Sequence, residues 1–130
     1  MLDRAAQALR WLTRASHDLK IAKRGLPAED AADTIAILLH ETSEKALKSF
    51  LIFHGWRLKK THDLVALVDT AAEFDSSFRQ YLEMARQLNG YYLRARYPTD
   101  VLPELTETEI QPVFKRVENL FDIVTKAVKR

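Results

Sequence analysis

The stretch that decides the fold is DAADTIAILLHETSEKALKSFLIFHGWRLKKTHDL, residues 30–64. Ile35, Leu39, Thr42, Ala46, Phe50 and Phe53 recur at three- and four-residue steps and form one apolar stripe. Ile37, Leu38, Leu47, Leu51 and Ile52 widen it. The segment is about 25 residues, roughly 37 Å as a helix. So wide a stripe needs more than one neighbour. The segment is therefore expected to be the central helix of a bundle or part of a subunit interface. Asp30 suits its N-cap, or Pro27 and Glu29 lie in its first turn. Gly55 suits the position just past its end. Thr61 is expected to cap a third helix, with Asp63 in its first turn.

The flanking segments carry the same period. Residues 3–24 place Ala5, Leu9, Leu12, Ser16 and Leu19 on one face, widened by Trp11, Ala15 and Ala22, with Leu2 leading in and Gly25 as the stop. Leu64, Leu67, Val68 and Ala71 form the buried face of the third helix. Asp75 or Ser76 opens a fourth helix through Phe78, Leu82, Ala85 and Leu88, and Asn89-Gly90 is expected to stop or bend it. Tyr91–Pro98 then forms a distorted last turn or an extended strap, followed by loop. Thr106 and Glu109 fit a capping box before a last helix with Val113, Val117, Leu120, Phe121, Val124 and Val128 on one face. Period-two strands and internal repeats are absent. The expected fold is all-α, an up-and-down bundle of four to five helices, one domain over residues 1–130.

Composition narrows function by exclusion. Apolar residues at 47% and charged residues at 29% give an ordinary globular balance. A net charge of +2 gives only mild attraction to phosphate. The absence of cysteine rules out disulfides, thiolate metal sites and a cysteine nucleophile, and fits a cytoplasmic location. The charged start is neither a signal peptide nor a membrane span. His40 and Glu44 are four apart, but no histidine has a glutamate three residues earlier, and HETSE lacks the second histidine of a zinc-protease motif. No metal and no cofactor are expected. The three glycines are isolated, so there is no phosphate loop.

An ordered set of short pieces resembles the HEPN domain. They are Trp11-Leu12, Asp18-Leu19, Glu44-Lys45-Ala46-Leu47-Lys48, Gly55, Lys60-Thr61-His62-Asp63-Leu64, Tyr91-Tyr92 and Arg96-Tyr97-Pro98. The resemblance implies a bundle of about five helices, related to the helical domain of kanamycin nucleotidyltransferase-type enzymes. It implies homodimerisation, an association with nucleotide or RNA, and pairing with a separate small nucleotidyltransferase. Many members are metal-independent ribonucleases, often toxins of toxin–antitoxin pairs, whose motif is an arginine with a histidine after four to six intervening residues. Others lack that motif. Around the fourth helix, Arg79, Arg86, Arg94 and Arg96 have no such histidine. The spacing occurs at Arg10–His17, within one helix, and at Arg57–His62, on a loop. Eleven arginines and four histidines in 130 residues yield about one such match by chance.

Three clusters are candidates for binding. Arg94, Arg96 and Tyr97, with Tyr91 and Tyr92, mix cations and aromatics at a helix end, suited to phosphate and base or else to core packing and ion pairing with Glu44 or Asp100. Arg57, Lys59, Lys60 and His62 form a phosphate grip or a solvated loop. Glu44 or Lys45 faces a cleft and organises Arg96, or they form the i,i+4 pairs Glu41–Lys45 and Glu44–Lys48. The leading expectation is a module without strong catalysis that binds nucleotide or RNA through Arg94, Arg96, Tyr97, Lys60 and Lys45. The alternatives are a ribonuclease using Arg57 and His62, and a plain dimerisation or adaptor module.

Overall fold

Asp3 opens α1 (Arg4–Gly25), its carboxylate accepting the Ala6 N–H at 2.8 Å. The structure is a computed structural model describing residues 3–26, 31–97 and 103–129. The expected features at Leu2, Pro27–Asp30, Pro98 and Asp100 lie outside these residues. The inner face of α1 is Ala8, Leu12, Ala15 and Ala22. Of the expected face, Leu12, Ala15 and Ala22 are buried while Leu9 is 38% exposed, and Ala8, outside that face, is buried. The alanines decide the orientation. Spaced seven apart, they give α1 a flat strip that lies close along the next helix, and this is the most extensive helix pairing in the fold.

That next helix, α2 (Ala32–Phe53), is the centre of the molecule. It packs on α1 and on all three helices that follow. Along its length only Thr34 is fully exposed. The central-helix expectation holds. The interface alternative loses its basis, together with the case for a homodimer drawn from it, because the chain's own helices cover the wide stripe. α2 ends in a Schellman motif: Trp56 N–H reaches Leu51 O and Gly55 N–H reaches Ile52 O, each at 2.9 Å. Gly55 supplies the required left-handed residue, with φ of 91°.

α3 (Leu64–Phe74) starts later than expected. Its N-cap is Asp63, which accepts from Val65 N–H at 3.0 Å and Ala66 N–H at 3.4 Å. Thr61 instead accepts from Asp63 N–H at 3.2 Å, so it steadies the capping residue. Asp75 caps a 3-10 segment (Ser76–Tyr81) that runs into α4 (Leu82–Arg96). Asn89-Gly90 does not stop α4. The Asn89 side chain is bonded to other elements and does not compete for its own backbone, so the helix continues to Arg96. α5 (Glu107–Val128) begins with the expected capping box between Thr106 and Glu109.

The five helices share one hydrophobic core, with residues from every helix and from the 3-10 segment. No strand occurs among the described residues, so the bundle is all-α. Among the described residues, no helix is long and apolar enough to cross a membrane.

Candidate functional site

The apolar central helix carries one polar stripe. His40, Glu41, Glu44, Lys45 and Lys48 follow helical spacing along one side of α2. Glu44 and Lys48 are 4% and 3% exposed, and pair at 2.9 Å. Lys48 also lies over the Trp11 ring of α1, 5.4 Å from its centroid. Glu44 reaches a third group, the His62 Nδ1, at 2.8 Å. His62 is otherwise exposed, so a buried carboxylate orients a solvent-facing imidazole. Lys45 is held by Asp18 at 2.6 Å and Glu41 at 3.6 Å. Its charge is met by two carboxylates.

Next along the stripe, Asn89 ties three elements together. Its Oδ1 accepts from the Leu64 N–H at 3.2 Å, and its Nδ2 donates to Asp63 Oδ1 at 3.0 Å. The same Oδ1 lies 3.2 Å from His40 Nε2, which must therefore carry the ring proton and donate. His40 is buried and its Nδ1 has no partner. Burial pushes its pKa below the ordinary histidine value, against the opposing pull of the Asn89 bond and the Glu44 and Glu41 charges.

The His40 ring packs on Tyr92 at a tilt of 31° with centroids 4.2 Å apart, and Arg96 in turn lies over the Tyr92 ring, 5.2 Å from its centroid. The Arg96 guanidinium also donates to the Tyr92 hydroxyl. Arg96 is exposed and makes no ion pair with a described residue. Tyr97 beside it is 61% exposed. Arg94 differs. It donates to Pro103 O at 2.7 Å and Glu109 at 3.3 Å and so straps α4 to the start of α5. The plainer expectation of ion pairing applies to Arg94, with Glu109 as the carboxylate. Lys59 and Lys60 are exposed without ion-pair partners among the described residues. Among the described residues there is no group of three or more metal-ligating side chains.

Comparison with known proteins places this arrangement. The model of the HEPN domain family matches residues 8–128. The chain belongs to the HEPN domain family. TT1696 from Thermus thermophilus is 24% identical over 96% of this chain and 98% of its own, with a TM-score of 0.78. ST0689, an archaeal HEPN homologue, is 22% identical over 98% and 99%, with a TM-score of 0.72. Both share the fold. No curated protein matches the chain. The HEPN-like pieces of the sequence thus have structural work: Glu44 and Lys48 form the buried pair, His62 and Asp63 clamp the start of α3, and Tyr92 carries Arg96.

The two arginine–histidine spacings fall in different surroundings. Arg10 and His17 both border an open depression along α1, together with Arg14 and Lys45. Arg57 borders a different groove, and His62 is not among the residues that line it. That groove escaped the sequence reading. Arg4, Arg10 and Trp11 of α1 meet Trp56 and Arg57 there. A signal was present. Positions 4 and 11 share a helix face, and the Gly55 stop reverses the chain so that residues 56 and 57 return toward α1.

Proposed function

We propose that this HEPN bundle binds nucleotide or RNA through its phosphates and is not a strong catalyst. The observation that supports the reading most is the column His40–Tyr92–Arg96. A buried ring fixes a tyrosine, the tyrosine fixes a guanidinium, and that guanidinium makes no ion pair with a described carboxylate. A pre-oriented, unpaired arginine loses little freedom on meeting a phosphate. Tyr97 adds an exposed ring for a base. Lys60 adds charge from the loop, whereas Arg94 and Lys45 are already engaged by carboxylates and stand behind the site as supports. Arg96→Ala is expected to weaken binding of a short RNA about tenfold, while Arg94→Ala acts mainly on stability. Unchanged RNA affinity in Arg96→Ala would remove this assignment. A homodimer and a small nucleotidyltransferase partner, implied by family, belong to the same proposal. They would use surfaces other than the covered stripe of α2.

One contact favours a second reading, a metal-independent ribonuclease. Glu44 fixes the Nδ1 of His62, which is how a carboxylate prepares an imidazole for general acid–base work. Arg57 would then steady the phosphate from the neighbouring groove. Cleavage of RNA by the purified protein, abolished in His62→Ala, would put this reading first.

A further inference from the structure

Both tryptophans of the chain, Trp11 and Trp56, line one groove of about 460 Å³ between the start of α1 and the loop after α2. Three arginines line it with them: Arg4, Arg10 and Arg57. None of the three makes an ion pair with a described residue, although acidic residues make up 18 of the chain's 130. Charge that could have been neutralised from within the chain is left facing outward. The groove is also built with care. Arg4 lies over the Cα of Gly55, where a Cβ would come 2.2 Å from its Nη1. The glycine demanded by the Schellman stop therefore also makes room for a groove cation. Lys48 backs the Trp11 ring from the core side. Trp56 packs partly on the core and is held by its N–H bond to Leu51.

The furrow does not end there. Arg10 and Trp11 also border the neighbouring depression along α1, which adds Arg14 and His17. From residue 4 to residue 17 the helix rises roughly 20 Å. A mononucleotide would occupy only part of such a path. Several cations beside two indole rings along an open furrow match a polynucleotide strand, with phosphates on guanidinium groups and bases on indoles. The arginines and tryptophans of the furrow are not residues of the Arg96 site. We propose that it is a path for single-stranded nucleic acid, in which Arg4, Arg10 and Arg57 take phosphates and Trp11 and Trp56 stack bases. This rests on the reading of the bundle as a nucleic-acid-binding module and extends it to a strand.

The two tryptophans are the only ones in the chain, so their emission reports on this groove alone. Labelled single-stranded 12-nucleotide RNA and DNA would be titrated into the full chain at low salt, following anisotropy and tryptophan emission. Inorganic polyphosphate of matched charge serves as a base-free probe. The expected result is binding of a strand with quenching of tryptophan emission and no comparable quenching by polyphosphate. The logarithm of affinity should fall with the logarithm of salt with a slope near −2, about −0.7 per phosphate contact. Arg10→Ala/Arg57→Ala, both at exposed positions, should lose tenfold or more in affinity and flatten the slope. RNA and DNA binding alike points to recognition of phosphate and base, and RNA alone adds a 2′-hydroxyl contact; either supports the path. Absence of strand binding, binding without quenching, equal quenching by polyphosphate, or unchanged affinity and slope in the double variant each overturns it. Arg96→Ala separates the two sites. Loss in the groove variant with Arg96→Ala unaffected keeps the path and rejects the α4 site, and the reverse rejects the path.

Discussion

Removing the Asn89 side chain tests the polar stripe at its most connected point. In Asn89→Ala, the His40 Nε2–H and the Leu64 N–H lose their shared acceptor. Asp63 Oδ1 loses a donor but keeps the Val65 and Ala66 N–H groups. An orphaned buried group costs about 1–3 kcal/mol. Both lost bonds are 3.2 Å long, and the Leu64 N–H lies near a helix start where water can reach, so the sum is about 2–4 kcal/mol. At about 3 °C per kcal/mol for a chain of this size, the melting temperature should fall roughly 6–12 °C. The pH dependence follows with a definite sign. Burial lowers the folded pKa of His40 below its unfolded value of 6.5. Its contribution to stability is full above pH 6.5 and is lost as pH falls from there to the folded value, because the unfolded chain takes up the proton first. The Asn89 bond opposes that lowering, so its removal should carry the loss further into acid. Denaturant titrations of wild type, Asn89→Ala, His40→Leu and the double variant, at several pH values between about 4 and 8, read both effects. His40→Leu should remove this component of the acid dependence and reduce the cost of Asn89→Ala. A cost of Asn89→Ala under about 0.5 kcal/mol, or one that is the same with and without His40, would falsify the reasoning.

Two further substitutions probe the supports of the site. Lys48→Met leaves Glu44 buried with only His62 as partner and should cost about 3 kcal/mol, while Glu44→Leu/Lys48→Met should recover most of it; chemical denaturation decides, and a double variant no better than the single contradicts the pairing. Gly55→Ala forces a side chain into the left-handed region and against Arg4, so it should cost about 1–2 kcal/mol in a thermal melt, and an unchanged melting temperature would count against the Schellman geometry.

The fold was legible because its strongest signals were local. The period of α2, the Gly55 stop and the Thr106–Glu109 box each involve neighbours in sequence. Where the reading slipped, a distant partner decided. The expected face of α1 included Leu12, Ala15 and Ala22 but also the large Leu9, and the buried face turns instead toward Ala8, since close approach to α2 favours small side chains. Asn89-Gly90 reads as a stop until the asparagine's partners on α2 and α3 are known. The i,i+4 pairing of Lys45 with Glu41 was legible, but its closer partner Asp18 on α1 and the Arg94 partner Glu109 on α5 lie far away in sequence. The arginine–tryptophan groove draws on residues some fifty positions apart, and only the return of the chain at Gly55 brings them together.

The most direct measurement is a two-dimensional ¹H–¹⁵N NMR titration of the labelled protein with a short single-stranded RNA. The account predicts saturable shifts at Arg96 and Tyr97 and around Trp56 and Arg57, including both indole N–H signals. The buried core of α5 should stay still. Shifts confined to surfaces away from these residues, or none at millimolar RNA, would contradict it.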